Sequence, residues 1–134
     1  MSARSKARKR ALDLIYAAEM RNRSAVEMLA EEGDDRPVND YTVELVHGVT
    51  EHRSRLDEVI AQYAEGWSLT RMPAVDRNVL RLGAYEILFV DDVPDAVAVS
   101  EALNLVRDLS TDESPSFVNG VLGNIVRDRD SLVG

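Results

Sequence analysis

The chain has 134 residues, of which 45% are hydrophobic and 30% charged, a balance that predicts one folded domain over residues 1–134 rather than a disordered segment. Cysteine is absent and there are two histidines, which excludes disulfides and thiolate metal sites, so no metal or cofactor is expected. Taken alone, the formal net charge of -8 argues against nucleic-acid binding.

The first predicted helix spans about residues 5–20. One apolar stripe follows intervals of three and four, through Ala7, Ala11, Leu14, Ile15 and Ala18. The opposite side of the helix carries Lys9, Asp13, Tyr16 and Met20, with Lys6 and Arg10 on one flank. We therefore expect Tyr16 to face outward beside a cluster of cations.

The charges are divided unevenly along the chain. Residues 1–23 contain seven basic and two acidic residues, a net +5, whereas the remainder contains nine basic and 22 acidic residues, a net -13. This distribution favours a basic N-terminal arm, residues 1–10, that contacts phosphates on an otherwise acidic protein. The alternative is a solvated, positively charged tail.

The next two predicted helices are separated by a polar loop. A short second helix, from about Ser24 to Glu32, should end at Gly33. Asn39 or Asp40 is a suitable N-cap for a third helix. Its stripe runs without interruption for about 24 residues, through Tyr41, Leu45, Val49, Leu56, Ile60 and Tyr63.

Three further helices are predicted in the second half of the chain. A fourth begins near Pro73 and is apolar around most of its circumference from Val79 to Val90, which predicts a buried central helix. A fifth begins near Pro94, and a sixth has Ser114 at the N-cap and Pro115 at the first position. No strand pattern interrupts them. The prediction is an all-α fold, a bundle of about six to seven helices.

Two aromatic residues are candidates for contact with RNA. Tyr16 lies beside the basic cluster, and cations next to an exposed ring are typical of single-stranded RNA binding. Phe117 lies near the start of the sixth helix, where backbone N–H groups can receive phosphate. The alternatives are a half-buried Tyr16 that packs on a neighbouring helix and a Phe117 packed under the preceding loop.

Polar residues on the fourth helix have several interpretations. Asp76 and Glu86 point towards its apolar side, which favours pairing with an arginine such as Arg77 or Arg81 over a catalytic role. Tyr85 lies with Asn78 and Arg81 on a polar arc that is a candidate protein interface. Glycine-rich phosphate loops, His-Glu-x-x-His and a nucleophile elbow are all absent, so we expect no enzyme.

The basic run Arg4–Arg10 followed by an apolar stretch looks superficially like a secretory signal, but Asp13 interrupts the stretch. No segment approaches the roughly 18 consecutive apolar residues that a membrane span needs. We therefore expect a cytoplasmic protein without a membrane contact.

The chain resembles the NusB family over nearly its whole length. The blocks that carry the resemblance are the basic start Arg4–Ala11, then Tyr16, Asp76–Arg81 with Tyr85 and Glu86, Asp92–Pro94, and Ser114–Leu122. The last block is the most specific. Ser5 departs from the family, in which a further arginine is common there, and the tail after Ile125 is short.

The resemblance implies a fold of two perpendicular three-helix bundles. It also implies a protein that binds the boxA element of nascent RNA together with NusE, a small ribosomal-subunit protein. In that family the complex helps RNA polymerase read through terminators, especially in ribosomal RNA operons.

The resemblance also implies roles for individual positions. The RNA-facing helix would present Arg4, Lys6, Arg8 and Arg10 with Tyr16, to which the helical wheel adds Lys9. Phe117 and Asn119 would form a second RNA contact region. Asp76 and Glu113 match positions associated with the partner or with tuned RNA affinity, and Tyr85 is the partner-facing candidate of the polar arc.

Two other functions remain open at this point. Certain ribosomal RNA cytosine methyltransferases carry a related helical RNA-binding domain, although 134 residues leave no room for their catalytic part. A helical protein-interaction module with a merely solubilising basic arm is the other.

Overall fold

The computed structural model describes residues 2–133, and all regular structure within that range is helical. The predicted all-α fold is therefore confirmed. The chain divides after His52 into two compact units, residues 1–52 and 53–134. No helix in the described range has the length and apolar character needed to cross a membrane.

The first unit contains three helices, each begun by a polar cap. Helix α1 spans Ala3–Arg21, α2 spans Ala25–Asp35 and α3 spans Asp40–Glu51. The hydroxyl of Ser2 accepts the Ser5 N–H at 3.0 Å, and the side chain of Asn39 accepts the Tyr41 N–H at 2.7 Å. Asn22 ends α1 in the left-handed region, at φ 53°. The predicted cap at Asn39 is confirmed.

Small side chains let α1 pack closely on α3. The buried stripe of α1 includes three alanines, Ala7, Ala11 and Ala18. Helix α1 packs on α3, whose buried residues include Leu45, Val46 and Val49. At this approach the Thr42 hydroxyl donates to the backbone oxygen of Ala7 at 3.1 Å. Helix α1 is thereby fixed with one long face against the core and the other in solvent.

The second unit contains five α-helices, and α5 is the central one. They are α4 (Arg53–Tyr63), α5 (Ala74–Phe89), α6 (Asp95–Leu109), α7 (Ser114–Arg127) and α8 (Arg129–Val133), with a 3-10 turn at Leu69–Arg71. Every residue of α5 from Asn78 to Leu88 is buried, and the helix contacts α4, α6, α7 and α8. The predicted central helix is confirmed.

The third predicted helix is two helices, α3 and α4, which meet at His52. Thr50, Glu51, Arg53, Ser54 and Arg55 are exposed and His52 is only partly covered, so the apolar stripe lapses for six residues. Because nothing apolar holds this stretch to a core, the two segments pack separately. The face of α3 belongs to the first unit and that of α4, with Leu56, Val59 and Ile60, to the second.

Other helix boundaries also differ from the prediction. Helix α2 continues through Gly33 to Asp35, and Gly33 does not adopt the positive φ that would end a helix there. Ser114 is the first residue of α7, and Glu113 is the N-cap. With the division at His52 and with α8, which was not predicted, the described residues contain eight α-helices where about six to seven were expected.

The buried carboxylate of Asp76 is held by hydroxyl groups rather than by an arginine. Its two oxygens accept hydrogen bonds from Ser110 at 2.6 Å and from Ser114 at 2.8 Å. Arg81 instead binds Asp57, with its Nε 2.7 Å from the carboxylate. The predicted arginine partner of Asp76 was therefore wrong, because the chain places two serines of the α6–α7 junction beside it.

A close helix crossing in the second unit yields a matched pair of glycine variants. A Cβ added at Gly83 would lie 2.8 Å from Cδ1 of the fully buried Leu122, whereas one added at Gly123 would meet nothing within 4 Å. We expect Gly83→Ala to lower the free energy of unfolding by about 1–2 kcal/mol through overpacking. Gly123→Ala should raise it by about 0.5–1 kcal/mol through helix propensity.

Urea denaturation of the two variants and the parent chain measures both changes. Equal effects of the two substitutions would contradict the close approach of α5 and α7 at Gly83.

Candidate nucleic-acid interface

The solvent-facing side of α1 lines a hollow that is rich in cations. The hollow has a volume of about 480 Å³, and α2 and the residue after it complete its wall. Its charged lining consists of Lys6, Lys9, Arg10, Arg21 and Arg36 with the acids Asp13 and Glu32. We call this feature the basic hollow. Five cations against two carboxylates leave it with a net positive charge.

The two carboxylates of the basic hollow are already paired. Lys9 binds Asp13 at 2.8 Å, and Arg10 binds Glu32 at 2.9 Å. All four side chains are 30–59% exposed, and ion pairs of that kind contribute only about 0–1 kcal/mol, so a phosphate can replace either partner at little cost.

Three cations of the basic hollow have no such partner. The side chains of Lys6, Arg21 and Arg36 make no ion pair with any residue in the described range. They are the cations best placed to receive an anion from solvent.

Arg4 and Arg8 lie on a different side of α1 from the basic hollow. Their guanidinium carbons lie 4.2 Å and 5.5 Å from the ring centre of Tyr41, and Arg8 is 4% exposed. Both distances are within the range of a cation–π interaction. The predicted cluster is therefore divided, and Arg8 packs on the core of the first unit rather than projecting into solvent.

Tyr16 lies on the exposed face of α1, as predicted. Its side chain is 37% exposed, and Met20, one turn further along, is 52% exposed. A flat ring and a thioether on the same face as Lys9 provide an apolar surface next to positive charge. A nucleobase can stack on such a surface while its phosphate meets the cations.

A second hollow lies in the second unit, at the start of α7. It has a volume of about 260 Å³ and is lined by Trp67, Met72, Pro73, Asp76, Thr111, Glu113, Ser114 and Phe117. The rings of Trp67 and Phe117 are 6.3 Å apart and tilted by 57°. We call this feature the aromatic hollow. Asn119 is exposed, two residues beyond Phe117 in the same helix.

The N-terminus of α7 offers few donors to a phosphate, contrary to expectation. The Ser114 N–H is bonded to the Thr111 oxygen at 3.1 Å, and the Phe117 N–H to the Glu113 oxygen at 3.3 Å. Pro115 has no N–H. Of the first four positions, only Ser116 remains, and the nearby carboxylates of Asp76 and Glu113 would repel an anion.

The polar arc predicted on α5 is not a surface. Asn78, Arg81 and Tyr85 are between 1% and 8% exposed, because α5 is enclosed along its whole circumference. Tyr85 stacks on Phe89 at 5.6 Å, and Arg81 is hydrogen-bonded to Asn78 as well as to Asp57. Asp76 is also buried, whereas Glu113 is exposed.

Three residues of these two sites were not predicted from the sequence. Arg21 could have been found, since it lies 11 residues after Arg10 and so returns to the same flank of α1. Arg36 follows α2 and reaches the basic hollow only through the packing of α2 on α1. Trp67 lies between two helices, where periodicity carries no information. No group of three potential metal ligands occurs in residues 2–133.

The chain is similar to known proteins in both sequence and structure. A sequence model described as the NusB family matches residues 5–127. The transcription antitermination protein NusB of Nocardioides sp. is 64% identical, over 98% of this chain and 99% of that protein. The solved structure of T. maritima NusB has a TM-score of 0.87 at 32% identity and covers 96% of this chain and 93% of that one.

A second solved structure contains RNA and a partner. It is described as the antitermination factors NusB and NusE in complex with dsRNA, and its matching chain has a TM-score of 0.81 at 26% identity. The match covers 92% of this chain and 96% of that one.

The division of the cations predicts different consequences for two substitutions on α1. Arg8→Ala should lower the free energy of unfolding by about 1–2 kcal/mol, since it removes a buried stem and a cation from the Tyr41 ring. Lys6→Ala, at an exposed position, should change it by no more than about 0.5 kcal/mol. Urea denaturation followed by circular dichroism measures both, and an unchanged midpoint for Arg8→Ala would contradict the stacking on Tyr41.

Proposed function

The chain belongs to the NusB family of transcription antitermination proteins, and we propose that it binds the boxA element of nascent ribosomal RNA transcripts together with NusE. It is an antitermination factor rather than an enzyme. In this proposal the protein acts in the cytoplasm, within the antitermination complex that lets RNA polymerase read through terminators. The NusB–NusE–dsRNA structure among its relatives supports both the RNA and the partner.

The basic hollow is the observation that carries the proposal. On a chain with a net charge of -8, a concentration of cations on one helix face is unexpected unless the face meets a polyanion. Lys6, Arg21 and Arg36 would receive phosphates directly, and Lys9 and Arg10 could exchange their carboxylate partners for phosphate. Arg4 and Arg8 would act mainly by fixing α1 through Tyr41.

Two aromatic positions would add base contacts to this electrostatic binding. Tyr16 is exposed on the side of α1 that also carries Lys9 about two turns earlier, so a strand whose base stacks on Tyr16 could bring a neighbouring phosphate to that cation. Phe117 and Asn119 would form the second contact region, with Phe117 supplying a ring and Asn119 an exposed amide.

The second unit is the more suitable one for a protein partner. Residues 53–134 contain eight basic and 14 acidic residues, a net -6, which favours a partner with a basic surface. Glu113 is exposed and could contact NusE directly. Asp76 and Tyr85 are buried, so their effect on a partner would be exerted through the positions of α5 and α7.

A titration of two RNAs tests the function and the partner together. We expect the purified chain to bind a short boxA-like RNA more tightly than a scrambled RNA of the same composition, and more tightly again with NusE present. Fluorescence anisotropy at low and moderate salt measures this. If neither RNA binds at low salt with NusE present, the chain is instead a protein-interaction module with a solvated basic face.

The salt dependence of binding identifies the cations that meet phosphate. Lys6→Ala and Arg21→Ala should each lower the slope of log K against log salt by about 0.7, the value for one phosphate of a single strand. Arg107→Ala removes the same charge from an exposed position on α6 and serves as the matched control. Slopes unchanged in both α1 variants, or lowered equally in the control, would contradict the assignment of the basic hollow.

A further inference from the structure

We propose that the aromatic hollow holds one unstacked RNA base that bears an exocyclic amino group, so that it accepts adenine, cytosine or guanine and disfavours uracil. This inference rests on the RNA binding proposed above and assigns a base preference to one part of that interface. It also adds Trp67, which lines the hollow together with Phe117, to the residues that contact RNA.

The walls of the aromatic hollow suit a flat ring. Trp67 is 55% exposed, although an indole in water is costly and most large aromatic side chains are largely covered. Its ring contacts that of Phe117 at a tilt of 57°, and Met72 and Pro73 line the same hollow. A base stacked on the exposed part of the indole would cover apolar surface of Trp67 and of its neighbours in the hollow.

A tight backbone turn ends at Trp67. The Trp67 N–H donates to the Ala64 oxygen at 3.2 Å, which closes a four-residue turn. Both central residues have positive φ, 43° at Glu65 and 89° at Gly66, as in a type I′ turn. The left-handed conformation is uncommon for a residue other than glycine, and it persists where the surrounding structure requires it. The turn thus defines where the backbone of Trp67 lies.

The charges of the aromatic hollow exclude a phosphate as its occupant. Asp76 and Glu113 are among the lining residues, and the lining includes no lysine or arginine. The N–H groups of Ser114 and Phe117 are already bonded within the chain. An anion would therefore meet two negative charges and few donors, whereas a neutral base meets neither obstacle.

The acceptors of the aromatic hollow select among the bases. Glu113 lies at the N-cap of α7 without a capping hydrogen bond, and no residue in the described range binds its carboxylate. A carboxylate only accepts, so it needs a donor such as the amino group of cytosine, adenine or guanine. In uracil the one N–H of the pairing edge lies between two carbonyl oxygens, which would face the same carboxylate.

The test uses the full chain with oligo(C) and oligo(U) RNAs of equal length, which present one base type each. Anisotropy of end-labelled RNA measures affinity, and the emission of Trp67, the one tryptophan of the chain, reports occupancy of the aromatic hollow. We expect oligo(C) to bind at least about fivefold more tightly than oligo(U) and to quench Trp67 more strongly.

Two alanine variants separate base selection from general electrostatics. Glu113→Ala should bring the affinity ratio of oligo(C) to oligo(U) close to one. Asp112→Ala removes the same charge from the adjacent exposed residue, which does not line the aromatic hollow, and should leave the ratio unchanged. Neither variant removes a hydrogen bond that caps α7.

The outcomes distinguish this inference from the proposed function. Equal affinities for the two RNAs in the parent chain, a Trp67 emission that does not respond to RNA, or a ratio that survives Glu113→Ala would overturn the base preference while salt-dependent RNA binding persists. If neither RNA binds at low salt with NusE present, RNA binding itself fails, and the proposed function fails with it.

Discussion

The second unit depends on the complete enclosure of α5. Polar side chains on a helix that is buried on every side are removed from water, so each of them needs a hydrogen-bond partner inside the protein. Asp76 finds two serine hydroxyls at the α6–α7 junction, and Arg81 finds Asp57 on α4. These hydrogen bonds fix the position of α5 along its axis relative to the neighbouring helices. Gly83 then lets α7 approach closely enough for Leu122 to be buried.

The candidate base site is a consequence of that enclosure. Because the Asp76 carboxylate fixes Ser114, it also fixes the first turn of α7 and the place where Phe117 projects. The same arrangement consumes backbone donors at that helix end and leaves carboxylates near it. The N-terminus of α7 is therefore poorly suited to an anion, and an aromatic hollow bordered by carboxylate acceptors lies beside it.

Burial also sorts the cations of α1 into two roles. A helix turns by about 100° per residue, so neighbouring basic residues point in different directions. Arg4 and Arg8 reach the Tyr41 ring, where their charge helps to hold the first unit together. Lys6 and Arg21 point towards solvent beside α2 and Arg36. Positive charge is thus concentrated in one hollow, and the acidic remainder of the chain would oppose indiscriminate binding to a polyanion.

Much of the fold and part of the site follow from local sequence patterns. The spacing of apolar residues identified the central helix and the exposed position of Tyr16, and the cap at Asn39 followed from side-chain chemistry, because these features depend on neighbours within one helix. Other features depend on contacts between segments that are distant in sequence. They are the break at His52, the hydroxyl partners of Asp76, the burial of the arc around Tyr85, the division of the arginines of α1, and the positions of Arg36 and Trp67 in the two hollows. Periodicity gives which face of a helix is apolar, but only tertiary packing decides what covers the other faces and which polar groups meet there.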